Sequence, residues 1–218
     1  MIEHTGIALI ESNWERDSNI SVRGLLELAA NIRFGNPNSF HYEMANSEVA
    51  LKEAIPRVAR NRRYRYLYLA MHGDEKGLAP FNNDRLTRTE LRNLLCAIKD
   101  EDQATIRGVF LGCCLFGTDR LAEYLFSYDI APSWIAGYST SSAWIEASAL
   151  DLLFFNELIC EMTAPETEIQ KINRVAERLL EIAPGLVAEL GFGIFTRKQG
   201  GGVKNLLSSA YQNQQDDV

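Results

Sequence analysis

Several absences in this chain narrow its class. Among its 218 residues no apolar run approaches the roughly 20 needed to span a bilayer, so membrane insertion is not expected. The opening stretch MIEHTGIALIES is too polar for a secretory leader, and none is expected there. Cysteine is scarce. Cys96, Cys113, Cys114 and Cys160 make no disulfide framework, which points to a reducing, cytoplasmic setting. No C-x-x-C pair is present, and adjacent Cys113 and Cys114 cannot readily both face one ion, so no zinc site is expected. Gly200 to Gly202 lacks the spacing of a phosphate loop. No cofactor is expected on these grounds. Basic residues are outnumbered 22 to 29, and the net charge of −7 argues against a nucleic-acid partner. Arg60, Arg62, Arg63 and Arg65 alternate with tyrosine and leucine and read as a solvated rim.

What remains is an ordinary globular composition, 46% hydrophobic and 23% charged, arranged as strand-length apolar runs alternating with helical periods. That alternation predicts an α/β fold with a mostly parallel sheet of about six strands and helices on both faces. Strands are expected at Gly6 to Ile10, Phe40 to Met44, Tyr64 to Met71, Ile106 to Cys114, Trp134 to Tyr138 and Gly191 to Thr196. Helices are expected at Val22 to Ile32, after Ser47 with a kink at Pro56, and from a Thr87–Glu90 capping box. Others follow near Thr118 to Phe126, from Ala143 to Cys160, and from a Thr163–Glu166 capping box. Residues 73–86 read as a loop. No internal repeat or interior linker appears, so residues 1–198 read as one domain and the Gly-rich, polar 199–218 as a flexible tail.

Two of the strands run into reactive residues. YRYLYLAM delivers His72-Gly73, and RGVFLG delivers Cys113-Cys114. Chemistry in open parallel sheets gathers at the carboxyl ends of strands, so neighbouring strands would bring His72 and a cysteine together. A thiolate beside an imidazole is the minimum for nucleophilic cysteine catalysis. The imidazole can return the proton to a leaving amine. The N–H groups of Gly73 and of the cysteine can stabilise the developing oxyanion. Cys96 and Cys160 lie on apolar helices and read as core residues.

An apolar strand ending in His-Gly, and 42 residues after the histidine a strand ending in a small residue plus Cys, resembles the caspase-like cysteine peptidases. That clan includes caspases, metacaspases, separase, gingipains and the bacterial CHAT proteases, the last being closest in style. WIAGYSTSS and the apolar helix after it resemble the strand, specificity loop and helix of CHAT-type members, so the resemblance covers roughly residues 5 to 160. It implies a caspase-like three-layer sandwich and a cysteine endopeptidase working through a His72–Cys114 dyad on a protein or peptide substrate. It also implies a candidate role in bacterial defence or regulated death, with a regulatory protein as a further candidate partner.

Aligning Val109-Phe110-Leu111-Gly112 with the family's strand puts Cys113 at the small-residue position and Cys114 at the nucleophile, with Gly117 three residues on; Cys113 stays as the alternative. Leu115-Phe116 replaces the small or polar residues usual after the nucleophile. Gly112 stands where several members carry a pocket side chain, so no Asp or Arg preference is carried over. By resemblance the loop after the fifth strand lines the substrate pocket, which nominates Tyr138, Ser139, Ser142 and Trp144 beside Gly112. Asp74 and Glu146 are the nearby acids; either one in the pocket would favour Lys or Arg at the cleaved position. The competing reading is a catalytically inactive caspase-like binding or regulatory module.

Overall fold

The computed structural model describes residues 6–82, 84–99, 105–141, 143–162 and 164–212. Seven strands form the central sheet: β1 (Gly6–Glu11), β2 (Phe40–Met44), β3 (Tyr64–Ala70), β7 (Gly108–Gly112), β8 (Trp134–Tyr138), β9 (Phe192–Arg197) and β10 (Val203–Asn205). Their order is β10-β9-β8-β7-β3-β1-β2, parallel from β2 to β8, with β9 and β10 antiparallel. The central strands are buried on both faces, which is why they read as near-continuous apolar runs.

Helices cover both faces. Against one lie α2 (Glu48–Ala59), α3 (Arg88–Lys99) and α4 (Asp119–Phe126). Against the other lie α1 (Arg23–Phe34), α5 (Trp144–Glu161), α6 (Glu168–Ile182), α7 (Pro184–Glu189) and α8 (Ser208–Gln212). Ser47 caps α2 by accepting from the Ala50 amide at 3.1 Å. The helix runs one turn past Pro56 and stops. Thr87 and Glu90 close the expected capping box on α3, at 2.9 and 3.3 Å.

The structure departs from expectation in several places; Cys160, expected in the core, is exposed. The segment 73–86 is not plain loop: β4 (His72–Asp74), β5 (Gly77–Ala79) and β6 (Leu86–Thr87) make a small antiparallel sheet. Its seed is a turn in which the Asp74 carboxylate accepts from the Lys76 amide at 2.8 Å, and its reward is full burial of Leu78 and Leu86. Thr163 lies outside the described residues; α6 opens instead with Thr167 and Gln170 in a reciprocal capping box, while Glu166 turns to Arg174. The strand expected to reach Cys114 ends at Gly112. From Gln199 the chain stays in the fold as far as Gln212. Gly200, Gly201 and Gly202, all with positive φ, turn it back so that β10 joins the sheet edge and Leu207 is buried.

From β1 the chain crosses to β2 on one side, then returns to β3, β7 and β8 on the other. The carboxyl ends of β1 and β3 therefore flank the point where strand order reverses, where open α/β sheets bind ligands.

Candidate active site

The register of β3 against β7 pairs Ala70 with Gly112. His72 and Cys114 each lie two residues beyond that pair, so both follow the carboxyl ends of neighbouring parallel strands. Both line one cavity of about 150 Å³, with Trp14, Val22, Tyr68, Gly112, Cys113, Tyr138, Trp144, Ala147, Ser148 and Asp151. Among the expected site residues, Gly112, Tyr138 and Trp144 thus share a cavity with His72 and Cys114.

Asp74, Ser139 and Glu146 are elsewhere. Asp74 is held by Arg85, which keeps its carboxyl below the usual range, and it lines no described cavity. Ser139 donates to the Gly191 carbonyl at 2.9 Å and borders a second, more polar cavity with Glu75, Arg88 and Arg120. Glu146 is exposed on the first turn of α5 and does not reach the cavity. Ser142 lies outside the described residues.

The two cysteines differ in setting. Cys113 packs into the apolar core under α2 to α4, and burial pushes its thiol far up, leaving a poor nucleophile. Cys114 is only half-buried. Gly73 lies over this turn so closely that a Cβ there would come within 2.8 Å of the Cys113 Cβ and 3.1 Å of the Cys114 carbonyl oxygen. Gly117 is required for a similar reason, since a Cβ would come 2.3 Å from the Gly137 backbone. Between them Leu115 takes a left-handed conformation, φ 63°, a strain of order 1–3 kcal/mol of a kind that concentrates at functional turns. Its amide is tied to the Thr140 carbonyl at 3.2 Å.

His72 has a hydrogen-bond partner that the sequence did not reveal. Its Nε2 lies 2.7 Å from the Trp14 carbonyl oxygen. A carbonyl only accepts, so Nε2 carries the proton and Nδ1 is left for the cavity. The Trp14 ring also packs edge-on against the imidazole at 5.3 Å and against Trp144 at 5.4 Å.

The cavity floor is Asp151. Trp144, Ala147, Ser148 and Asp151 recur at helical spacing on one face of α5, which aligns them along the cavity. The Asp151 carboxyl accepts from Tyr68 and, at 2.6 Å, from Tyr138. Among the described residues it has no cation, and burial pushes it up to about 7. The Tyr68 ring also explains Gly112, because a Cβ there would come 2.0 Å from that ring. A polar residue inside the apolar run ALDLLFF was the available sign of Asp151; Trp14, in a polar loop, carried none.

Among the described residues no cluster of His, Cys, Asp or Glu could hold a metal ion, and no helix is long and apolar enough to cross a membrane. No protein-family model matches the chain, and no curated protein matches it in sequence. Solved structures do. The chain is similar to an inactive zymogen C11 protease from Parabacteroides distasonis, at 10% identity and a TM-score of 0.56, over 91% of this chain and 62% of that one. It is also similar to a secreted C11 cysteine protease from Bacteroides thetaiotaomicron in complex with an irreversible peptide inhibitor. There the identity is 8% and the TM-score 0.49, over 88% of this chain and 66% of that one. The chain thus spans less than two thirds of the length of these proteases. At such identity the likeness is one of fold, that of a mostly parallel seven-stranded sheet between helices.

Proposed function

We propose that this protein is a caspase-like cysteine endopeptidase with His72 and Cys114 as its dyad. The observation that carries the reading is that both residues line one cavity, each two residues beyond the paired Ala70 and Gly112. The Cys114 thiol passes its proton to His72, and the thiolate attacks the scissile carbonyl. The N–H groups of Gly73 and Cys114 are the candidate oxyanion donors. His72 then protonates the leaving amine, which departs and leaves a thioester on Cys114. A water attacks that thioester, giving its proton to His72, and the acid is released as the thiol re-forms.

The side chain at the cleaved position enters the cavity between Trp14 and Trp144 and meets Asp151. A buried carboxylate without a counter-ion favours a cationic visitor, so Lys or Arg is the expected residue there. This is the preference raised for Asp74 and Glu146, transferred to a different acid. The biological setting, a CHAT-like cytoplasmic effector in bacterial defence or regulated death, rests on the sequence resemblance alone.

The test is cleavage of a fluorogenic peptide library varied at the scissile position. Cys114→Ala should lose activity by about 10⁴-fold or more, while Cys113→Ala retains measurable turnover. Undiminished cleavage by Cys114→Ala, or indifference of the enzyme to thiol alkylation, sinks the reading and favours the inactive module.

A further inference from the structure

Glu11 ends β1 with its side chain 1% exposed, an unusual place for a carboxyl. Its bonds explain it. Oε1 accepts from the Trp14 indole N–H at 2.8 Å and from the Val22 amide at 2.9 Å, and Oε2 accepts from the Ser21 hydroxyl at 2.5 Å. These donors stand at the two ends of the loop 12–22, so one carboxyl ties the loop's start to its finish. A second tie fixes the residue before Trp14: the Asn46 side-chain oxygen accepts from the Asn13 amide at 2.8 Å and the Ser12 hydroxyl at 3.0 Å. The Ser12 hydroxyl oxygen in turn accepts from the Phe81 amide at 2.9 Å.

Trp14 is therefore fixed through its side chain and through its neighbour's backbone. It is also the residue whose carbonyl faces His72 and whose ring walls the cavity. We infer that Glu11 is a positioning residue: it clasps the loop 12–22 shut so that Trp14 presents its carbonyl to His72 Nε2 and its ring to the substrate cavity. The inference rests on the peptidase reading for its catalytic half. Glu11 touches no reacting atom; it acts through Trp14. Small misplacements of this kind reach the chemistry, since about 1 Å of error can cost 10²-fold in rate.

The variants are Glu11→Leu, Glu11→Gln and Trp14→Phe, each in the full chain. Two quantities are measured: kcat per active site, titrated with an irreversible peptide inhibitor that alkylates Cys114 only in a formed site, and hydrogen exchange of the loop 12–22. Titration removes any loss due only to misfolded protein. Glu11→Leu should lower kcat per site by about 10- to 100-fold with a smaller rise in KM, and speed exchange across the loop. Glu11→Gln should recover most of kcat, because its amide oxygen can serve Trp14 and Val22 while its N–H₂ donates to Ser21. Trp14→Phe keeps an aromatic ring and the backbone but removes the indole donor, so it should fall several-fold even if Glu11→Leu does not fold. Titrated kcat within two-fold of wild type in both Glu11→Leu and Trp14→Phe overturns the positioning role, whatever the exchange shows. If the wild type lacks Cys114-dependent cleavage the peptidase reading fails, and unchanged loop exchange in Glu11→Leu would then dispose of the clasp as well.

Discussion

Glu168 and Asp151 are both buried carboxyls on the same face of the sheet, both bonded by tyrosine, and their difference separates architecture from chemistry. Glu168 opens α6 at the amino ends of the strands. It accepts from Arg65 at 2.9 Å, Tyr66 at 2.7 Å and Trp134 at 3.2 Å. A cation and two neutral donors thus occupy its oxygens at the helix N-terminus. Asp151 lies towards the carboxyl ends, on the cavity beside Cys114, with Tyr68 and Tyr138 but no cation among the described residues. One acid is complete within the fold. The other has two tyrosine donors and no cation among the described residues. The opposite face, under α2 to α4, is an apolar cluster with no buried charge at all among the described residues.

The sharpest way to break this comparison is to neutralise each acid and assay specificity. Asp151→Asn should lower kcat/KM on peptides with Lys or Arg at the scissile position by about 10²-fold, matching the few kcal/mol typical of a buried charge pair. Peptides with an apolar residue there should be cut as well or better. Glu168→Gln should leave the ratio of the two substrates unchanged. Equal losses on both peptides in Asp151→Asn would show that the cavity floor does not read charge.

Stability against pH gives the next largest difference. The Asp151 carboxyl is raised in the folded state from 3.8 to about 7, so folding favours its protonated form. Its contribution is fully present below about pH 4 and is lost as pH rises through 7. At about 1.4 kcal/mol per unit this amounts to a few kcal/mol. The Tyr68 and Tyr138 phenols are pushed well above their ordinary value and stay neutral throughout that window. Asp151→Asn, neutral at every pH, should therefore gain in melting temperature on the wild type between pH 4.5 and pH 8. A flat difference across that range would mean the carboxylate is not desolvated. Glu168→Gln should instead destabilise by about 2 kcal/mol at neutral pH, because the amide N–H₂ would face the Arg65 guanidinium, partly relieved by the solvent reaching that arginine.

Most of the frame was legible because local periodicity and burial agree in it. The β1, β3, β7 and β8 runs and the caps at Ser47 and Thr87 are local signals that packing did not override. What escaped depended on contacts distant in sequence. The β4–β6 sheet is too short for a period to show, and β10 hides behind three glycines that read as a tail. At the site, His72 and the cysteine pair stand out because apolar runs lead into them. Asp74 and Glu146 were nominated by proximity in sequence, whereas Asp151 reaches the cavity because α5 turns its 144, 147, 148 and 151 positions to one side. Trp14 and Glu11 matter through a loop whose closure no sequence pattern announces.

The finest distinction lies in the tyrosines. The Tyr138 hydroxyl is 2.6 Å from Asp151 Oδ1 and 3.1 Å from the Ala147 carbonyl oxygen, and it has one proton for two acceptors. When Asp151 is ionised, that proton serves the carboxylate. When Asp151 is protonated, the carboxyl can donate to the phenol oxygen and the phenol to Ala147, so the chain of bonds reverses without breaking. Tyr138→Phe removes the link in both states, but a bond to a charged acceptor is worth roughly twice a neutral one. The loss should be about 1 kcal/mol at pH 5 and about 2 kcal/mol at pH 8, read as a melting-temperature deficit that widens with pH. Tyr66→Phe, beside an acid that keeps Arg65 and Trp134, should lose about 2 kcal/mol at both values. Parallel deficits in the two variants would mean that Asp151, like Glu168, is already complete within the fold.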